Sequence, residues 1–157
     1  MEFQLLKYLH VLTIIGAIVL AEGPILHIWV AARRHDVAAL RHLIEESERG
    51  DRLSNPLVVL SILFGVAAAL TGQIDLTAPW LITAYAVLIL GFVGLGLGGG
   101  LRHIERLKHA AETSPVDAPS TELVALIDHP WSYVVTFGPP TLMAVLIYLM
   151  VVKPNFW

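Results

Sequence analysis

Residues 3–30 read FQLLKYLHVLTIIGAIVLAEGPILHIWV. The run is longer than the ~20 residues an α-helix needs to cross the hydrocarbon core of a bilayer. Its second half nevertheless carries a carboxylate, Glu22, followed at once by the helix-breaking pair Gly23-Pro24. Apolar runs over residues 53–70, 80–101 and 131–152 come at or near the same length. None alternates polar and apolar residues as a barrel strand must, so helices are the spanning elements. With 56% of its 157 residues hydrophobic and 15% charged, the chain holds more apolar surface than a soluble domain of this size needs for its core. The expected fold is all-α: one polytopic membrane domain, residues 1–157, a four-helix transmembrane bundle with loops 31–52 and 102–130 on one side.

Lysine and arginine predict which side that is. Arg33, Arg34, Arg41, Arg49 and Arg52 fall in the first of those loops and Arg102, Arg106 and Lys108 in the second, leaving only Lys7 and Lys153 for the opposite side. Basic loops stay in the cytoplasm, so both termini are expected outside, with the protein multi-pass in a bacterial inner membrane. The segment before the first run is not basic, which argues against a cleaved leader and for a retained first helix. A net charge of −3 with the cations gathered at membrane ends points to lipid headgroups and away from nucleic acid. No cysteine is present, so disulfides, all-cysteine iron–sulfur ligation and thioether-linked haem are excluded.

Local signals refine the helices. Asn55-Pro56 looks like a cap followed by a first-turn proline, Thr77 with Pro79 like another, and Asp128 with Pro130 like a third. In the first loop, Val37, Leu40 and Ile44 recur at helical spacing with charge pairs four apart, which predicts a short helix lying on the membrane surface. The stretch TSPVDAPST, residues 113–121, is turn-rich and expected to be mobile.

Polar groups inside the spans are the candidate site. A charged carboxylate near mid-bilayer costs at least ~2.5 kcal/mol, so Glu22 needs either a role or a hydrogen-bonded niche. Counting from the basic side places Glu22 and Pro139 each about eight residues deep, ~12 Å, with Ser61 and residues 91–94 expected at a similar level. Tyr85 and Thr136 are further candidates for intramembrane polar or partner contacts. In helical projection His10, Thr13, Gly16, Gly23, Pro24 and His27 share one stripe of the first helix, the side expected to face the bundle, whereas Glu22 falls among Ile15, Ile18, Val19 and Leu26. Either the Gly23-Pro24 break turns the carboxylate inward, or that face meets another protein. Gly91, Gly94 and Gly98 form a small-residue stripe suited to close helix packing or to a groove for a flat cofactor.

The histidines suggest metal chemistry. His27, His103 and His129 all fall near the basic membrane boundary and are candidate metal ligands, while His10 alone lies in the opposite leaflet. An axial haem site needs an imidazole and a second ligand, which may be a thioether; Met150 is near the depth of His10. A hydrogen-bonded packing role for His10 stays open beside it.

The segments LLKYLHV, GDRLSNPLVVLSILFG, PWL and LMVVKP resemble a family of bacterial four-helix integral membrane proteins known only as a domain of unknown function. The resemblance covers the helix order and gives weight to Lys7, His10, Asp51, Arg52, Pro56, Lys153 and Pro154. More distantly, LKYLH with a proline late in the same helix is similar to the first helix of HemJ-type protoporphyrinogen oxidases and CopD-like copper-resistance proteins. For the HemJ type it implies haem b on His10, although no lysine inside the later helices matches that family's other hallmark. Three functions are therefore expected as alternatives. The first is a small haem b or metal-binding subunit of redox or haem metabolism. The second is a non-enzymatic accessory or assembly subunit contacting a membrane-protein partner through the Glu22 face, and the third a small proton-coupled carrier acting as a homodimer. Whether the protein is an enzyme is left undecided by the sequence.

Overall fold

A computed structural model of the chain describes residues 1–154, apart from the side chain of Phe92; the end of the expected 1–157 domain lies outside the described residues. These form α1 (Glu2–Glu22), α2 (Ile25–Arg33), α3 (Val37–Thr71), α4 (Pro79–Leu97), α5 (Gly100–Thr113), α6 (Thr121–Asp128) and α7 (Pro130–Val152). Among the described residues there is no strand. Four segments are long and apolar enough to cross a membrane: Glu2–Arg33, which joins α1 and α2, then Val37–Thr71, Pro79–Leu97 and Pro130–Val152. The chain is an all-α, multi-pass membrane protein.

Two antiparallel hairpins make up the bundle. In the first, α1 and α2 pack along α3, and the register can be read from close approaches: Phe3 lies against Gly72, His10 against Gly65, and the Leu20 carbonyl against Gly50. Gly50 has to be glycine, because a Cβ there would collide with the Leu20 oxygen. That oxygen is the one Pro24 leaves without an amide donor. The glycine backbone therefore covers the carbonyl that the break exposes, an approach of the Cα–H to carbonyl kind. In the second hairpin α4 packs on α7 through Ala84, Leu146 and Leu149, and Lys153 sits over the Trp80 ring at 5.3 Å.

The two hairpins join at the end that carries the basic loops. There Ala31, Ala32, Val37, Leu40, Ala110, Ala111, Leu123, Leu126 and Ile127 form the largest buried cluster, drawn from α2, α3, α5 and α6. Arg41 ties α3 to the end of α5, donating to the Ala111 carbonyl at 2.7 Å, the Glu112 carbonyl at 2.9 Å and the Ser114 carbonyl. Along the membrane, α1 and α3 barely meet α4 and α7. No span has more than 17% of its most apolar window buried, so lipid and not protein covers most of the transmembrane surface.

Several boundaries differ from the sequence expectations. Asn55-Pro56 does not start a helix. The second span begins at the Asp36 cap, which accepts from the Ala39 amide at 2.9 Å, and α3 runs unbroken through Pro56 for 35 residues. The expected surface helix is thus the first part of that same rod. A proline removes one helical hydrogen bond, which these capped and packed turns tolerate. Conversely, the first span is interrupted at Gly23-Pro24, both of which keep right-handed helical angles, so the chain continues through them as one span. Loop 102–130 is largely helical: Gly99, at φ 96°, turns the chain from α4 into α5, and Ser120 caps α6 through the Leu123 amide at 3.1 Å. The TSPVDAPST stretch is anchored, since Ser114 is buried, donates to the Ala110 carbonyl and is held by the Arg41 clamp.

This division of labour predicts where truncation hurts. Leu40→Ala, at a fully buried position of the basic-end core, should cost about 2–5 kcal/mol. Leu63→Ala, 59% exposed on the membrane face of α3, should change stability little. Thermal unfolding in detergent, with hydrogen exchange of α5 and α6 amides, checks both.

Candidate functional site

Glu22, the last residue of α1, and the first turns of α2 line a cavity of about 280 Å³ between the hairpins, next to the basic-end core. Apolar side chains from α2, α4, α5 and α7 form most of its wall. Its polar members are Glu22, Trp29, Arg33, Ser47, Glu48, Asp51, Lys108, Ser132 and Thr136, and Pro139 contributes from α7. Of the two placements open from projection, Glu22 takes the one facing another element of the same chain.

Among the described residues, three polar atoms of this lining are buried and have no hydrogen-bond partner: Glu22 Oε2, Trp29 Nε1 and Arg33 Nη2. The rest of each of the two donors is fixed. Arg33 Nη1 donates to Asp128 at 2.9 Å, and its guanidinium lies 4.8 Å from the Tyr133 ring and 5.5 Å from the Trp29 ring. Trp29 in turn meets Phe137 edge-on, with centroids 5.7 Å apart. Buried donors and acceptors left unpaired are costly, and in native proteins each is accounted for by water, an ion or a functional role. Lys108 is paired with Glu48 across α5 and α3, and this hydrogen bond holds the Lys108 ammonium above its ordinary pKa. Glu22 and Asp51 have no cation at ion-pair distance among the described residues.

His10 lies elsewhere. Its Nδ1 is 2.8 Å from the Ser61 carbonyl oxygen, which can only accept, so Nδ1 carries the proton. The Ser61 hydroxyl is then a donor toward the His10 carbonyl at 3.2 Å. Ser61 is therefore level with His10 and not with Glu22, a correction to the depth count, which took α3 to start at Asn55. Met150 sits on α7 in the other hairpin and is 42% exposed, so the fold does not set it opposite His10. Tyr85 is 45% exposed on α4, while Thr136 is buried at the cavity wall.

The three boundary histidines do not converge. His27 lines a separate, shallow groove with Glu46 and Arg49, whereas His103 and His129 stack at 5.2 Å. Ser132 donates to the Leu126 carbonyl at 2.8 Å and so accepts from His103 Nε2 at 2.9 Å. His129 Nδ1 accepts from the Trp131 amide at 3.2 Å, which places its proton on Nε2. Only His103 Nδ1 keeps a free lone pair in this arrangement. Among the described residues no three His, Asp or Glu side chains gather as a metal site.

Of the family-motif residues, Asp51 is in the cavity; Pro56 lies on the exposed face of α3, and Arg52 donates within its own helix to the Glu48 carbonyl at 3.3 Å. Lys7 is exposed on α1, and Lys153 and Pro154 end α7. Sequence reasoning passed over Trp29, Arg33, Glu48 and Lys108. Trp29 and Arg33, four apart at the end of a span, carried a readable signal; Glu48 and Lys108, 60 residues apart, carried none. Comparison with family models, with curated proteins and with solved structures finds no match to this chain.

The histidine pair predicts a pH dependence. Burial, then the neighbouring His129 and Arg106, hold His103 below its ordinary value of 6.5. Its neutral form contributes stability fully above that value, and the contribution is lost as pH falls through the folded pKa. Protection of the Leu126 and Ser132 amides, relative to the intrinsic exchange rate at each pH, should therefore fall on acidification. In His103→Gln, which can still donate to Ser132, that acid dependence should disappear.

Proposed function

We propose that the protein is a small membrane carrier or binding protein of the bacterial inner membrane, with the cavity at Glu22 as its working centre and a proton on that carboxyl as part of its cycle. One observation carries the reading: Glu22 is turned from the lipid into a cavity that it shares with Asp51, and its Oε2 has no partner there. An acid in such a position can alternate between binding a proton and binding a ligand, the usual use of intramembrane carboxylates. The break at Gly23-Pro24 directly follows Glu22, and Pro139, inside the unbroken α7, lines the same cavity. Interrupted spans of this kind are where carriers place their sites. The limited contact between the hairpins above the basic-end core supports motion of one against the other.

Haem b on His10 is the second reading, favoured by one detail. A histidine whose Nδ1–H is held by a backbone carbonyl presents its Nε2 lone pair to a metal, the arrangement common to ligating histidines. The second axial ligand would come from outside the His10–Ser61 pair, since Met150 belongs to the other hairpin.

Both readings have direct tests. For the first, infrared spectra of the purified protein in lipid should contain a carboxyl band that titrates with pH, is lost in Glu22→Gln and survives in Asp128→Asn. Loss of the same band in neither variant would end the proton reading. For the second, protein from haem-replete cells should show a reduced-minus-oxidised Soret band that His10→Ala removes and His109→Ala keeps; a colourless preparation overturns it.

A further inference from the structure

We propose that the cavity takes the headgroup of a phospholipid bearing a primary ammonium, with its phosphate on Trp29 and Arg33 and its ammonium toward Glu22 and Asp51. The inference rests on the reading of this cavity as the working centre and names its ligand class. Two unpartnered donors and one unpartnered acceptor lie among its lining residues. Trp29 and Arg33 are four residues apart and so share a face of α2. Their donors, Nε1 and Nη2, sit on rings and guanidinium already fixed by Phe137, Tyr133 and Asp128. Two N–H groups held in place without an acceptor suit the oxygens of a phosphate, the group for which arginine is the usual ligand.

The other end of the cavity has the opposite chemistry. Glu48 is taken by Lys108 and Asp128 by Arg33, but Glu22 and Asp51 keep their carboxylates unpaired. A simple anion would leave those two charges uncompensated, and a simple cation would leave the two donors unsatisfied. A group that carries a phosphate next to an N–H cation satisfies both ends. Along the chain, Trp29 is seven residues from Glu22, ~10 Å at 1.5 Å per residue, and side chains of both lean toward the helix start. The remaining wall, including Ile25, Ile28, Leu95 and Val135, is apolar. Because the hairpins are not sealed along their membrane length, acyl chains can reach this wall from the bilayer. The level, at the basic end of the spans, is that of lipid headgroups.

The test uses the full-length protein in detergent and reads lipid retention by native mass spectrometry together with the thermal midpoint. Phosphatidylethanolamine should be retained over both phosphatidylcholine, which has no N–H, and phosphatidylglycerol, which has no cation. Trp29→Phe, which keeps a ring against Phe137 and loses only the donor, should lower phosphatidylethanolamine occupancy on the order of tenfold, as should Arg33→Gln. Glu22→Gln together with Asp51→Asn should abolish the preference over phosphatidylcholine and phosphatidylglycerol. Equal retention of the three lipids by the unmodified protein overturns the proposal, as does undiminished occupancy in Trp29→Phe. Water-soluble phosphoethanolamine separates the sources: no midpoint shift with it supports the lipid, and a shift equal to that of the lipid overturns the lipid as ligand. A titrating Glu22 carboxyl band without any lipid preference would overturn this inference and leave the proton reading standing.

Discussion

The fold depends on a small water-side core. Inside a bilayer, helices gain nothing from leaving lipid for one another by the hydrophobic effect, so packing there relies on close fit and hydrogen bonds. At the basic end the solvent changes, and Val37, Leu40, Leu123 and Ile127 are driven together by the ordinary hydrophobic effect. This cluster, with the Arg41 clamp beside it, is what makes two hairpins one molecule. The spans can then carry a broken helix and border a polar cavity at their basic end without losing the architecture.

That arrangement explains which parts of the fold were readable. Class and the number of spans follow from apolar run length, a property a bilayer selects directly. The start of α3 did not follow. Asn55-Pro56 has the form of a cap, but the water-side core recruits Val37 and Leu40, so the helix is fixed from Asp36 onward and simply passes through the proline. The same error displaced Ser61 from the level of His10 to that of Glu22, because depth was counted from residue 53, where the apolar run begins, whereas Leu20 of α1 packs at Gly50.

The candidate site shows the same division. Glu22 was legible because a carboxylate in an apolar run is costly wherever it points. What it faces was not, since projection of one helix does not say on which side the second hairpin lies, and residues of α5 and α7 complete the cavity there. Thr136 and Asp51 were singled out and do line the cavity, whereas Tyr85 and Met150 are largely exposed. Trp29 and Arg33 become interesting only once Phe137, Tyr133 and Asp128 are seen to pack against them. That is information about α6 and α7, more than ninety residues away along the chain.

The bare contact between Gly50 and the Leu20 carbonyl has a mechanical consequence. Only a bare α-carbon admits that oxygen, and Arg49 and Asp51 on either side of Gly50 carry a Cβ, so the contact works as a notch that keeps α1 from sliding along α3. The notch lies two residues from Glu22, which fixes the level of the carboxylate beside Asp51.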